Sequence, residues 1–335
     1  MQLVINTKGT GISWRQGAFE IQNKDGKHRL SPDKISSIMI TNGVKVSSDA
    51  ILQAVNHDID ILIVNGQGAP AARIWHHRFG SISVIRKAQL DFATGLEGAK
   101  WVKHCLSTRL ANMSLLLKSL HRDRPAKQDL IEKTLQTIQG FENRIRELPD
   151  TPLEDSLKAR MRGWEGNASR AYFGAVARII PEMYFFSKRS RRPAKDLFNC
   201  VLNYLYGILY GRLEIAMIRA GIDPYIGVFH RDEYNRPVMV YDMIECYRLW
   251  PEAVLLQLCF RKALDNKMVS ERKGGLWLDI SGKKLAISSM NDYLETVIQY
   301  KGKRRSRLHH LQQDCHDLAA QIKTLHKHES TSPPS

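Results

Sequence analysis

The apolar positions change period near residue 88, and that change divides the chain. Before it, short β-branched runs alternate with Gly, Asn, Asp and Pro, so QLVIN, AFEIQ, KISSIMIT and DILIVN each read as a strand. One helix interrupts them, Ser48 to Asn56, capped by Ser47 or Ser48. Beyond residue 88 the spacing approaches 3.6: Val102, Leu106, Leu110, Met113, Leu117 and Leu120 predict one long amphipathic helix. A second helix covers Lys127 to Leu148 and stops at Pro149 and Pro152. The apolar stretch from Phe198 to Arg219 is interrupted by Asn199, Asn203, Arg212 and Glu214, so it reads as a buried helix and not a membrane span. A final seam, Leu308, Leu311, Cys315, Leu318, Ile322 and Leu325, is too short for a coiled coil and packs on its own domain or on a partner subunit.

The predicted class is α+β: a β-rich domain over 1–80, a linker over 81–88, a larger all-helical domain over 89–326 and a disordered tail over 327–335. Composition fits two folded domains, since 335 residues at 43% hydrophobic can bury a substantial core. Charge changes the picture more. Lys and Arg number 50 against 34 acids, a net of +16, which points to a polyanionic partner, nucleic acid first, over a neutral small substrate or a surface kept basic for solubility alone. The excess is five through residue 88 and eleven beyond it, as expected of a protein lying along an extended polyanion. The start MQLVINTKGTG lacks the pattern of a signal peptide, so the expected location is cytoplasmic. Five cysteines without a CxxC pair fit a reducing compartment and argue against structural zinc. No GxGxxG or P-loop is present; Gly66 and Gly68 mark a turn.

Candidate chemistry concentrates between Gly221 and Arg248. His230 ends a short apolar run, and after a polar turn Asp242 and Glu245 follow three apart, on one face of an expected helix start. An imidazole with two carboxylates suits a hard or borderline divalent cation, although a histidine after a strand is often structural and acids at a helix start often serve the dipole. Far upstream, Glu165 shares a helical face with Ser169 and Tyr172, and Arg170 lies close by. Glycines 163 and 166 beside it mean either that the backbone passes something closely or that the helix breaks there; otherwise Glu165 is a surface acid with an intrahelical Arg partner. Two runs, SKRSRRPAK at 187–195 and KGKRRSR at 301–307, each hold five basic residues and no acid, and read as solvated charge or as phosphate clamps. His76 and His77 are adjacent, so on a strand they point to opposite faces and read as surface residues; His104 and His121 read as solvent-facing or capping.

Four blocks in order carry a resemblance: WEGNASRAYF around Glu165, DLFNCVLNYLYGIL at 196–209, GIDPYIGVFH ending at His230, and YDMIECYR with Asp242 and Glu245. Over roughly residues 160 to 250 the chain resembles the CRISPR-associated adaptation integrase and endonuclease family, which inserts new spacers into CRISPR arrays. The resemblance implies that Glu165, His230 and Glu245 bind a catalytic Mg²⁺ or Mn²⁺, with Asp242 in a supporting acidic role. It further implies a catalytic helical domain, a homodimer built through the N-terminal domain, and a small ferredoxin-like CRISPR-associated partner joining pairs of dimers. The expected reaction is attack of a DNA 3′-hydroxyl on a repeat phosphodiester, with cleavage or resealing of branched DNA. His230 must be neutral to ligate, so activity should fall below about pH 6.5, the unperturbed histidine value. Arg170, Arg248, Lys188, Arg189, Arg191, Arg192, Lys303, Arg304 and Arg305 are the expected contacts to the DNA backbone. Two other classes compete: a catalytically silent DNA-binding assembly subunit, and a general nuclease or small-substrate metallohydrolase.

Overall fold

The computed structural model describes residues 2–24, 26–35, 37–64, 70–74, 82–121, 125–231, 233–272 and 274–329. His76 and His77 fall outside them. Contacts divide the chain into two compact units, Met1–Gly80 and Ser81–Ser335.

In the first unit the strands are β1 (Gln2–Ile5), β2 (Gly11–Arg15), β3 (Ala18–Asn23), β4 (Gly26–Leu30), β5 (Ser37–Thr41), β6 (Lys45–Val46), β7 (Asp60–Val64) and β8 (Pro70–Ile74), with helix α1 at Ser48–Asn56. They form two four-stranded sheets, ordered β1-β5-β7-β8 and β4-β3-β2-β6. The runs β1, β5 and β7 pair in parallel, with Ile38 opposite Ile61 and Ile40 opposite Ile63, and α1 supplies the crossover between β5 and β7. Ser47 caps α1 by accepting from the Ala50 amide at 3.2 Å. Ile5, Ile12, Phe19, Ile38, Ile61 and Ala54 join in one core. Strands β2, β4, β6 and β8 were not apparent from the sequence; β4 is GKHRL, exposed along most of its length, with no apolar alternation to reveal it.

The second unit is mostly helical: α2 (Ile82–Thr94), α3 (Leu96–His121), α4 (Gln128–Arg146), α5 (Asp155–Ile179), α6 (Leu197–Ala220), α7 (Val238–Met243), α8 (Leu249–Phe260), α9 (Ile280–Glu295) and α10 (Arg307–Glu329). Two antiparallel hairpins interrupt the helices, β9 (Val269–Arg272) with β10 (Gly275–Leu278) and β11 (Val297–Tyr300) with β12 (Lys303–Ser306), which corrects the all-helical expectation. The segment read as a linker is instead the start of α2, because Ile85, Ala88 and Phe92 recur at helical spacing and are buried. Residues 327–329, read as part of the tail, continue α10. That helix packs on α2 and α6 within its own unit. α6 is the axis: Leu202, Leu205, Leu209, Leu213 and Met217 are fully buried, and Gly221 closes it in the left-handed conformation at φ 87°. Among the described residues no helix is long and apolar enough to cross a membrane.

Candidate active site

The site is assembled around the turns between α6 and α7. Gln89 of α2, fully buried, donates to the carbonyls of Asp223 and Ile226 at 2.8 and 3.0 Å and accepts from the Asp223 amide at 2.9 Å. Arg162 of α5 donates to the Phe229 carbonyl at 3.1 Å and lies over its ring. One turn further along α5 stands Glu165, so the same arginine ties Glu165 and His230 to one neighbourhood.

Asp242 organises this segment. Its carboxylate is buried and accepts the amides of Val228, Phe229 and His230 at 2.7, 2.9 and 3.0 Å. His230 Nδ1 lies 2.6 Å from Asp242 Oδ1. An ionised carboxylate only accepts, so Nδ1 donates, and in the neutral ring the lone pair is then on Nε2. Gly227 is required for the approach: a Cβ there would meet Val238 Cγ2 at 2.8 Å and Asp242 Oδ2 at 3.2 Å. His230 therefore follows a turn and not a strand, and Asp242 is committed to backbone and imidazole, not to the helix dipole.

Glu245 sits three residues on, in a 3-10 turn at Ile244–Cys246 that Asn112 of α3 holds by donating to the Cys246 carbonyl at 3.1 Å. Burial pushes the Glu245 carboxyl above its usual range, and the nearby charge of Glu165 adds to the rise against the opposing charges of Arg248 and Arg109. Arg248 Nε is 2.8 Å from Glu245 Oε2, a buried ion pair that opposes the rise. Glu165 is half-buried and accepts from Ser169 Oγ at 2.6 Å. Gly163 and Gly166 lie in an unbroken helix with open space where a Cβ would stand, so neither a close backbone passage nor a break explains them. Among the described residues no three His, Cys, Asp or Glu side chains are gathered into a ready ligand set.

Tyr241 packs edge to face on His230 and on Tyr210, with centroids 5.9 and 5.5 Å apart. Behind the site lies a charged cluster that sequence reasoning missed. Arg109 forks onto Glu252 at 2.7 and 3.0 Å, Tyr206 donates to Glu252 at 2.5 Å, and Arg248 lies over the Tyr206 ring. The available signal was a single arginine interrupting the apolar stripe of α3.

The expected DNA contacts separate into two groups. Lys188, Arg191, Arg192, Arg170, Lys303 and Arg304 are exposed. Arg248 is not: buried, it faces Glu245 and donates to Tyr210 Oη at 3.3 Å, so its expected role as a backbone contact is corrected. Arg189 is corrected too, because it donates to Asn199 Oδ1 and to Asn203 Oδ1 and lies over Phe173. Its work is to pin the loop: Asn199 and Asn203 also donate to the carbonyls of Lys188, Ser190 and Arg191. Arg305 is half-buried, its guanidinium tied to His309 and Gln313 along α10. His104 is exposed.

The model for the family described as CRISPR associated protein Cas1 matches residues 3–292. The chain belongs to the Cas1 family. A Cas1 relative from Archaeoglobus fulgidus, named a CRISPR-associated endonuclease, is 27% identical over 315 residues, spanning 90% of this chain and 91% of the relative. Among solved structures, a casposase bound to integration product shares the fold at a TM-score of 0.80 and 18% identity, covering 96% of this chain and 90% of that one. A Cas6-RT-Cas1–Cas2 complex does so at a TM-score of 0.76 and 18% identity, covering 97% of this chain and 35% of that one. The Cas1 fold, a β-sheet region followed by a mostly helical one, is thus this chain's fold.

Proposed function

We propose that the chain is a metal-dependent DNA integrase and endonuclease that joins a DNA 3′-hydroxyl to a phosphodiester of a CRISPR repeat and that cleaves or reseals branched DNA. The observation that carries this is Glu245: a buried carboxylate paired with Arg248 and pushed above its usual pKa by burial and by the nearby charge of Glu165, three residues after the acid that fixes His230. Such a carboxylate is relieved by a cation, and Glu165, His230 and Glu245 are the donors that would hold Mg²⁺ or Mn²⁺. The bound ion supplies charge stabilisation on the phosphate oxygens and assistance in ionising the attacking hydroxyl. Asp242 keeps the His230 lone pair presented, and Arg248 supplies the counter-charge that keeps Glu245 in place.

The exposed cations Lys188, Arg191 and Arg192, on a loop braced by Arg189, Asn199 and Asn203, would contact phosphates, with Arg170, Lys303 and Arg304 extending the track. The unit over residues 1–80 would form the homodimer contact, and a small ferredoxin-like partner would join pairs of dimers; a solved Cas6-RT-Cas1–Cas2 complex that shares this fold supports a Cas2-type partner. The casposase neighbour bound to integration product supports the strand-transfer reading.

The test follows labelled strand length on a DNA mimicking a half-integrated spacer, with Mn²⁺, Mg²⁺ or chelator, and with a 3′-deoxy end as control. Metal-dependent joining that needs the 3′-hydroxyl is expected; tight binding without strand chemistry under any condition would overturn the reading in favour of a silent assembly subunit. Two further outcomes are expected. Asp242→Asn places an amide against three backbone amides and the imidazole, and should weaken Mn²⁺ binding by about 10–100-fold in calorimetry, the usual effect of losing the group that orients a ligating histidine. Reversing Lys188, Arg191 and Arg192 to glutamate should lower the slope of log affinity against log salt by about two to three, near 0.9 for each phosphate no longer neutralised. An unchanged slope would remove the loop from the DNA track.

A further inference from the structure

The two sides of the candidate site are held unequally. On the His230 side the backbone is bonded from three helices: Gln89 of α2 takes the carbonyls of Asp223 and Ile226, Arg162 of α5 takes that of Phe229, and Asp242 of α7 accepts the amides of Val228, Phe229 and His230. Gln89 is 0% exposed and Asp242 2%, so water has little chance to compete for these bonds.

The Glu245 side is built differently. α7 stops at Met243 and α8 starts at Leu249, with Pro251 in the first turn of the new helix. Between them the Tyr247 amide donates to the Ile244 carbonyl at 2.8 Å and the Trp250 amide to the Tyr247 carbonyl at 2.9 Å. In a continuous helix the Trp250 amide would serve Cys246, so the Cys246 carbonyl is left out of both ladders. Among the described residues one side chain from another element bonds the backbone of this turn: Asn112 of α3, which donates to that carbonyl at 3.1 Å. Arg109 lies on the same face of α3, three residues earlier, and its charge opposes the rise that burial gives the Glu245 carboxyl. Pro251 already favours a break; what Asn112 decides is where the turn before it sits, one residue after Glu245.

We propose that Asn112 is a positioning residue for the cation: by anchoring the Cys246 carbonyl to α3 it fixes the direction in which Glu245 is presented, and this rests on the reading of Glu245 as a metal donor. A turn released from α3 would leave Glu245 to follow Arg248 alone, while His230 stayed where Gln89, Arg162 and Asp242 hold it. The two donors would then lose their common focus.

Asn112 also lines a surface cavity of about 430 Å³ with His104, Ser107 and Thr108, so water can reach a released carbonyl and the fold can survive the loss. The test takes the full chain with Asn112→Ala, or with Asn112→Asp, which keeps the size and loses the donor, each alone and on a Glu245→Gln background. Each single variant should bind Mn²⁺ about 10–100-fold more weakly in calorimetry, the usual effect of removing a group that orients a ligand. Melting should stay within about 4 °C of wild type, as for one lost hydrogen bond, and branched-DNA affinity in chelator should not change. On the Glu245→Gln background neither substitution should weaken Mn²⁺ binding further, because Asn112 acts through that carboxylate. Unchanged Mn²⁺ affinity in a folded Asn112 variant would overturn the proposal, as would a loss that adds in full to that of Glu245→Gln. Unfolding of both variants would assign Asn112 to the fold and overturn it too. A Glu245→Gln chain that binds Mn²⁺ as well as wild type would overturn the metal-donor reading itself.

Discussion

Glu245→Gln is expected to remove metal-dependent resealing of branched DNA, a fall of about a thousandfold or more. The size follows from the several kcal/mol that charge stabilisation by a bound ion contributes to a phosphodiester transition state, each 1.4 kcal/mol being about tenfold. Glutamine preserves volume and one carbonyl oxygen but loses the negative charge. The charge matters here because Glu245 is buried and paired with Arg248 at 2.8 Å, with Glu165 near enough to raise its pKa. A neutral amide leaves Arg248 buried without its counter-charge, so the variant should also lose stability, by up to about 3–5 kcal/mol if the guanidinium finds no other partner. Thermal melting and DNA binding in chelator separate the two effects. A folded, DNA-binding Glu245→Gln protein that retains a tenth or more of the resealing rate would remove Glu245 from the catalytic set.

What the sequence made legible was periodic or clustered. The 3.6 spacing of Leu106, Leu110, Met113 and Leu117 announced α3 because a single face of that helix builds the core. His230, Asp242 and Glu245 were legible as chemistry-bearing residues, but their division of labour was not. Asp242 and Glu245 are three apart, yet one serves the backbone of 228–230 and the other faces Arg248, because α7 gives way to a 3-10 turn between them. Spacing predicts a shared face only while the helix continues. The basic runs were visible as charge, but not which cations are free: Arg189 and Arg248 look like their neighbours in sequence and differ only in what surrounds them. Sequence showed Asn199 and Asn203 merely as polar breaks in an apolar helix, whereas their amides hold the loop.

The second large effect concerns stability. Glu252→Ala should destabilise the protein by about 3–5 kcal/mol, because it strands Arg109 inside the core. Arg109 is 1% exposed and Glu252 3%, and Glu252 accepts from both the Arg109 guanidinium and the Tyr206 hydroxyl. Burial alone would lower the Arg109 pKa, but the Glu252 charge outweighs it and the guanidinium stays charged. With the carboxylate removed, that charge lies against the Tyr172 ring with no directly bonded acid and only the charge of Glu245 nearby, while the Tyr206 hydroxyl loses its acceptor. The pair itself is a different matter: replacing both partners by apolar groups of similar volume is often neutral or stabilising, since two desolvated ions disappear together. Arg109→Met combined with Glu252→Leu should therefore recover most of the loss, leaving a coupling energy of several kcal/mol in a double-mutant cycle. Urea unfolding of the four proteins measures it, provided the slopes agree. Additive destabilisation across the cycle would mean that Arg109 and Glu252 are held independently and that the cluster behind the site is not one electrostatic unit.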